Sequence, residues 1–206
     1  MYNEKLHLSF KGGSTVTIKW FVDNVLRWIF LFVLLWDAYA LIFNKGIPNI
    51  RTAPAIRKRI IALLKAEYAR HSGPEPFTIV DMGSGNGLFT RDIARALPEA
   101  RIIGLEISKT ALLWANGFKK LYRLKNIDYV SQDFFSYHLG HANAVVMYLT
   151  IFQMESMGKK LHEELKPGTL VTSNRFKLGD GWEPDDIISV KTLYPHQKTF
   201  HVYRQK

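Results

Sequence analysis

From residue 77 to the end of the chain, short apolar runs alternate with stretches in which apolar side chains recur every third or fourth position. FTIVD (77–81), RIIGLE (101–106), NIDYVSQD (126–133), ANAVVMYL (142–149) and TLVTSNRF (169–176) read as strands, being short, β-rich and bounded by turn residues. Between them LFTRDIARAL, SKTALLWANGFKKLYRL and MESMGKKLHEEL carry the helical period. IISVKTLY and KTFHVYR close the chain as an antiparallel pair. Upstream, AIRKRIIALLKAEYARH (55–71) sets Ile56, Ile60, Leu63 and Leu64 at helical spacing and ends at Gly73-Pro74-Glu75-Pro76. Strand–helix alternation predicts a parallel sheet with helices on both faces, and such sheets bind ligands beyond the carboxyl ends of their strands.

The first fifty residues follow another pattern. LHLSF and TVTIKW alternate around Lys11-Gly12-Gly13-Ser14 and predict a small hairpin. Trp20 to Phe43 is the most apolar part of the chain; from Trp28 onward it holds a single acid, Asp37. A helix over residues 28–43 is about 24 Å long, short of the ~30 Å hydrocarbon core. Extending it back to Trp20 supplies the length but takes in Asp23 and Arg27. Trp20, Trp28 and Trp36 suit interfacial depths. Residues 20–43 therefore read as a membrane anchor, either one spanning helix or a helix lying in the interface. The alternative is a buried helix packed on the following domain or on a second subunit. A cleaved signal peptide does not fit, because the apolar run starts late and no small-residue cleavage site follows. The chain thus divides into an N-terminal segment, 1–50, and a domain, 51–206.

Composition narrows the classes. With 206 residues, 47% hydrophobic and 22% charged, the chain is not disordered throughout. It has no cysteine, which removes disulfide scaffolds, thiolate zinc sites and thiol nucleophiles. The formal charge is +10, and residues 45–70 carry seven basic side chains against Glu67 alone. That stretch reads either as a juxtamembrane segment on anionic lipid, at ~1 kcal/mol per basic residue, or as an ordinary solvated helix face.

The chemistry concentrates in Ile79-Val80-Asp81-Met82-Gly83-Ser84-Gly85-Asn86-Gly87, between a predicted strand and a predicted helix. Glycines at 83, 85 and 87 let the backbone turn sharply and approach a ligand, and the helix start beside them favours negative charge. A dinucleotide loop, G-x-G-x-x-G, would need glycine at position 88, which is Leu88. The G-x-G-x-G spacing with an acid two residues ahead resembles motif I of the class I S-adenosylmethionine-dependent methyltransferases. That resemblance implies a Rossmann-like seven-stranded α/β sheet, mostly parallel with a C-terminal antiparallel strand, and S-adenosylmethionine as cofactor. It places Asp81, Met82, Gly83, Ser84, Gly85 and Gly87 at the cofactor. It assigns Glu106, 19 residues after Gly87, to the two ribose hydroxyls with Ile107 beside it. It assigns Asp133 to the adenine amino group and Phe134 to the adenine ring.

A closer resemblance covers about residues 45–190. The DMGSGNG loop, GLE at the second strand end, KKLHEEL before the fifth strand, and NRF followed by GWEPD are similar to the membrane-anchored lysine N-methyltransferases of the ATP synthase c-subunit and adenine nucleotide translocase type. This implies a membrane-tethered enzyme that methylates lysines of membrane proteins. Asn86 stands where that loop usually has an acid, and Tyr148-Leu149-Thr150 is not the N-P-P-Y signature of amide or adenine methylation. Tyr148 is the candidate for lining the acceptor channel and holding the amine, or else for packing on the cofactor. Thr52 is the candidate for closing over the cofactor from the N-terminal side. Arg175 reads either as holding an acidic partner at the site or as making a structural ion pair. His138 and His141 form an H-x-x-H pair without a third ligand in sight, so no metal is expected.

Three other readings compete: methylation of a lipid or quinone headgroup, methylation of RNA, and a non-catalytic scaffold of the same fold. The +10 charge motivates RNA, but the basic cluster lies beside the anchor and no aromatic-basic RNA motif is present. In a bacterial organism the adenosylmethionine pool would place the catalytic domain on the cytoplasmic side, and the basic excess after the anchor agrees.

Overall fold

In a computed structural model the structure describes residues 7–8, 16–43, 51–179 and 181–206. They fall in two compact units, Met1–Pro48 and Asn49–Lys206. In the first, β1 (His7–Leu8) pairs antiparallel with β2 (Val16–Thr17), and α1 runs from Ile18 to Phe43. The second strand is shorter than the alternation of TVTIKW suggests. Ile18 to Phe43 holds no Gly or Pro, so the helix starts at Ile18 and takes Lys19 and Trp20 with it. Phe21, Leu26, Trp28, Phe30 and Leu35 are exposed on α1. Among the described residues no helix is long and apolar enough to cross a membrane. The expectation of a spanning, transmembrane helix over 20–43 is corrected accordingly: Asp23 and Arg27 break its apolar run at the amino-terminal end.

The second unit is built on seven strands. α2 (Pro54–Tyr68) is followed by β3 (Thr78–Met82), α3 (Leu88–Ala96), β4 (Arg101–Glu106), α4 (Lys109–Leu121), β5 (Ile127–Ser131), β6 (Ala144–Met147), α5 (Met154–Glu164), β7 (Leu170–Asn174), β8 (Asp186–Ser189) and β9 (Thr199–Arg204). The sheet order is β5-β4-β3-β6-β7-β9-β8. All pairings through β7 are parallel, and β9 runs against both its neighbours. This is the predicted α/β architecture. The strand order reverses between β3 and β6, which is where doubly wound sheets open a crevice for ligand.

Both faces of the sheet are buried, as parallel strands require. Ile56, Ile60 and Leu64 of α2 and Ile93 of α3 pack with Ile79, Ile102, Val146 and Phe200 on one face. Met154, Met157 and Leu161 of α5 pack with Val80, Met82, Val145, Val171 and Tyr203 on the other. Much of the basic stretch 45–70 is therefore a helix laid on the sheet. Pro54 opens α2, where its missing N–H costs nothing. Arg57 pairs with Asp92 at 2.9 Å, while Lys58, Arg59 and Lys65 face solvent. Glu67 takes both terminal nitrogens of Arg204, at 3.0 and 2.8 Å, clamping α2 to β9. That bond is the main cause holding the Glu67 carboxyl below its ordinary range. Lys45 lies outside the described residues.

Candidate active site

The loop after β3 turns as its glycines allow. Gly83, Gly85 and Gly87 all have positive φ, at 71°, 55° and 73°. Gly87 caps α3, and the amide of Ser84 donates to Leu105 O at 2.9 Å, tying the loop to β4. Beneath the loop, Asp81 is 4% exposed and accepts the Thr90 hydroxyl at 2.6 Å. The buried Arg91 supports the loop from α3, its Nη1 donating to Asn86 O at 2.7 Å and its guanidinium lying 4.5 Å over the Phe118 ring.

Burial pushes the Asp81 carboxyl up to about 7, against the Thr90 bond that lowers it, and the nearby Glu106 carboxylate adds to the rise. The folded value stands above the ordinary 3.8. The folded chain therefore keeps a proton that the unfolded chain has released. This group's contribution to stability is complete below about pH 4 and is lost as pH rises through about 7. Asp81→Asn keeps an acceptor for Thr90 and removes the buried charge. It is expected to raise the cofactor-free unfolding temperature at pH 8 by several degrees and to leave it nearly unchanged at pH 4, as thermal unfolding at the two pH values would show.

Glu106 ends β4 and holds the loop from the other side. Its Oε2 accepts Gly85 N at 2.9 Å and its Oε1 accepts Ser108 N at 2.8 Å. Each carboxylate oxygen retains a second lone pair, enough for a vicinal diol. Ile107 next to it is exposed. Asp133 lies two residues past the end of β5, exposed, its Oδ1 accepting Phe135 N at 2.9 Å. Phe134 is buried in the core with its ring 4.9 Å from that of Phe135.

A hollow of about 450 Å³, measured out to open solvent, sits above this loop. It is lined by Arg51, Thr52, Arg57, Asp81, Gly83, Ser84, Gly85, Asn86, Leu88, Phe89 and Tyr148. Of the residues singled out from sequence, Thr52, Asp81, Gly83, Ser84, Gly85 and Tyr148 meet here. Gly87, Glu106, Ile107, Asp133 and Phe134 lie outside its lining. The side chain of Met82 is buried in the core; strand alternation turns it with Val80 to the α5 face while Asp81 faces α3. Tyr148 follows the last residue of β6, half-buried. The chain beyond it is fixed by Gln153, whose Oε1 accepts the amide and the hydroxyl of Thr150 at 3.1 and 2.9 Å. Arg51 and Arg57, from the basic stretch, line the hollow as well, with Asn86 of the loop and Leu88 and Phe89 at the start of α3.

The chemistry of the hollow fits the amino-acid end of an amino-acid-bearing nucleoside, whose sugar would lie past the lining toward Glu106. Ser84 Oγ is buried in the hollow without a hydrogen-bond partner, and buried hydroxyls are normally satisfied. The Asp81 carboxyl and the Arg51 side chain both line the hollow, where an α-amino acid would bring its ammonium and carboxylate, and Glu106 stands at the loop's edge, outside the lining. Elsewhere, His138 Nδ1 lies 3.6 Å from Glu164 and His141 contacts the Tyr137 hydroxyl at 3.3 Å. Among the described residues no group of three or more His, Asp or Glu is placed to hold a metal. The Arg175 guanidinium rests 4.7 Å over the Phe176 ring.

The model of the ANTKMT methyltransferase domain matches residues 81–186, from Asp81 to the first residue of β8. A protein-lysine N-methyltransferase of Saccharolobus islandicus is 28% identical over 146 residues, covering 70% of this chain and 88% of that protein. A tRNA (guanine-N(7)-)-methyltransferase of Thermotoga maritima is 40% identical over 67 residues, 32% of this chain and 21% of that protein. An RNA methyltransferase from Salinibacter ruber, solved with S-adenosyl-L-homocysteine, superposes with a TM-score of 0.62 at 24% identity, over 75% of this chain and 93% of that one. A precorrin-6y C5,15-methyltransferase from Geobacter metallireducens gives 0.52 at 16% identity, over 72% and 88%. These two structures share the fold.

Proposed function

Because the chain belongs to the ANTKMT methyltransferase domain family and is an adenosylmethionine-dependent methyltransferase, we propose that it methylates lysine side chains of proteins. The observation that carries this reading is the lysine methyltransferase relative, whose similarity extends over 88% of its length rather than over the cofactor loop alone. The surface agrees with a macromolecular acceptor. The 3-10 turn after Tyr148 exposes Ile151 and Phe152, the latter at 91%, and the β8–β9 connection exposes Leu193 and Tyr194. Both follow strand ends on the edge that carries the hollow.

When bound, adenosylmethionine supplies a methyl group on a sulfonium, which leaves without acid assistance. The protein's part is then to position two reactants and exclude alternatives. Asp81 and the amides of the glycine loop would hold the amino-acid tail, and Glu106 would hold the ribose. Tyr148, at the hollow's rim, orients the incoming amine through its hydroxyl. The acceptor must arrive neutral, and a free lysine has a pKa of ~10.4. Contact with the apolar flanks of the rim disfavours the ammonium by desolvation. The substrate ammonium would release its proton to solvent before transfer; the product would then carry the positive charge as a methylammonium, and the cofactor would leave as a neutral thioether.

Residues 1–50 serve in this reading as a tether and 51–206 as the catalytic domain. The exposed apolar side chains of α1, Trp20 and Trp28 among them, suit a helix lying in the membrane interface, and in this reading the catalytic domain lies on the cytoplasmic side. Such a tether raises the effective concentration of membrane-protein acceptors. The reading is tested by incubating the full chain with membranes, soluble protein and RNA in the presence of adenosylmethionine carrying a deuterated methyl group. Mass spectrometry is expected to find the label on lysines of protein. Label recovered only in the lipid or RNA fraction would overturn the lysine assignment while leaving a methyltransferase.

A further inference from the structure

Residues 51–53 enter the catalytic domain in no helix or strand, yet Arg51 and Thr52 form one wall of the hollow. Two side chains fix this strap. Gln197, in the connection between β8 and β9, is 5% exposed. Its Oε1 accepts Ala53 N at 2.6 Å and its Nε2 donates to Arg51 O at 2.9 Å. One amide thus engages the backbone on both sides of Thr52, as a neighbouring strand would. Arg57 Nη1 donates to the carbonyl between them, Thr52 O, at 3.1 Å. Gln197 is itself anchored: Asn174 Nδ2, at the end of β7, donates to its Oε1 at 3.4 Å, and its own amide donates to Tyr194 O at 3.0 Å.

We propose that Gln197 is a positioning residue for the cofactor, acting through the strap: it holds Thr52 and Arg51 against the amino-acid end of the bound molecule. The inference rests on the reading that the hollow takes that end. The chemistry is specific to a primary amide. The Ala53 amide can only donate and the Arg51 carbonyl can only accept, so their partner must offer one acceptor and one donor at fixed spacing. Alanine at 197 leaves the buried Ala53 amide and the part-buried Arg51 carbonyl unpaired, and the strap then moves toward water. Glutamate keeps the acceptor for Ala53 and loses the donor for Arg51. In either variant the hollow loses a wall while Asp81, the glycine loop and Glu106 stay in place.

The test uses the full chain and four variants, Gln197→Ala, Gln197→Glu, Thr52→Ala and Thr52→Ala with Gln197→Ala. Calorimetry with adenosylmethionine and steady-state kinetics are read together. Gln197→Ala is expected to weaken cofactor binding about tenfold or more and to raise the cofactor KM in parallel, with kcat at saturating cofactor within about twofold. Gln197→Glu, which keeps the size, shifts in the same direction and stands in for the alanine variant should that one not fold. The double variant binds no more weakly than the weaker single, because both changes act through one segment. Cofactor affinity equal to wild type in a Gln197 variant, even with a lowered unfolding temperature, means a structural role only and overturns the proposal, as does strict additivity in the double variant. Absence of cofactor binding in the wild-type chain would instead overturn the parent reading of the hollow.

Discussion

Alanine at Gly87 is expected to cost far more than alanine at Gly168, although both glycines have the same kind of backbone. Gly87 has φ 73° and Gly168 has φ 87°, and each would charge an alanine ~1–2 kcal/mol for left-handed geometry. Around Gly168 a new Cβ meets nothing within 4 Å. At Gly87 it would stand 2.1 Å from the Tyr129 hydroxyl and 2.6 Å from the ring carbon bearing it. Retreat toward β4 is closed, since the Tyr129 ring also lies 2.7 Å from where a Cβ on Gly104 would stand. Its hydroxyl donates to Gly87 O at 3.3 Å, so displacement breaks that bond as well. The tyrosine is a spacer wedged between two glycines, holding the cofactor loop against β4. Gly168→Ala should lower the unfolding temperature by about 2–4 °C per kcal/mol, a few degrees in all. Gly87→Ala adds a steric term of roughly 2 kcal/mol, and it shifts the loop enough to abolish measurable cofactor binding. Asparagine, which tolerates positive φ, should recover most of the loss at 168 and little at 87. Thermal unfolding with cofactor calorimetry on the four variants checks this, and equal losses at both positions would show that Tyr129 does not act as the wedge.

The second large effect is expected at Glu106. Its two oxygens accept Gly85 N and Ser108 N, so this carboxylate shapes the loop and also offers its remaining lone pairs to the ribose. Hydrogen bonds to charged groups are worth ~1.5–3 kcal/mol each. Losing two at the ribose predicts a cofactor affinity lower by about a hundredfold or more in Glu106→Ala, at 1.4 kcal/mol per tenfold. Glu106→Gln is a sharper probe. It preserves shape but turns one acceptor into a donor, facing either the Gly85 or the Ser108 amide, itself a donor. It should weaken binding at least tenfold while leaving the unfolding temperature within a few degrees. Calorimetry decides it: a glutamine variant that binds as tightly as wild type would mean that no ribose rests on this carboxylate.

What was legible from sequence and what was not divide along the range of the interactions. The strands and helices of the catalytic domain follow from short apolar runs and helical spacing bounded by turn residues, and RIIGLE coincides with β4 residue for residue. Asp81 and Glu106 were legible because strand ends and glycine spacing are local. Tyr129 was not, because nothing in NIDYVSQD distinguishes a wedge from any other strand residue; its role exists only through Gly87 and Gly104 on other elements. Gln197 was hidden for the same reason, acting on a strap 144 residues away. The core position of the Met82 side chain was legible too, since a side chain next to Asp81 on a strand must face the other side. The spanning helix failed on a quantity the sequence did contain, the charges at 23 and 27. Asp133 stands at the expected strand end, exposed, with Oδ1 accepting Phe135 N.

The structure of the full chain with adenosylhomocysteine tests the account most directly. The account predicts the amino-acid tail in the hollow between Asp81, Ser84 and Thr52, with the ribose hydroxyls on Glu106 and the sulfur turned toward Tyr148. Product bound away from the carboxyl ends of β3 and β4, or a ribose that makes no contact with Glu106, would contradict it.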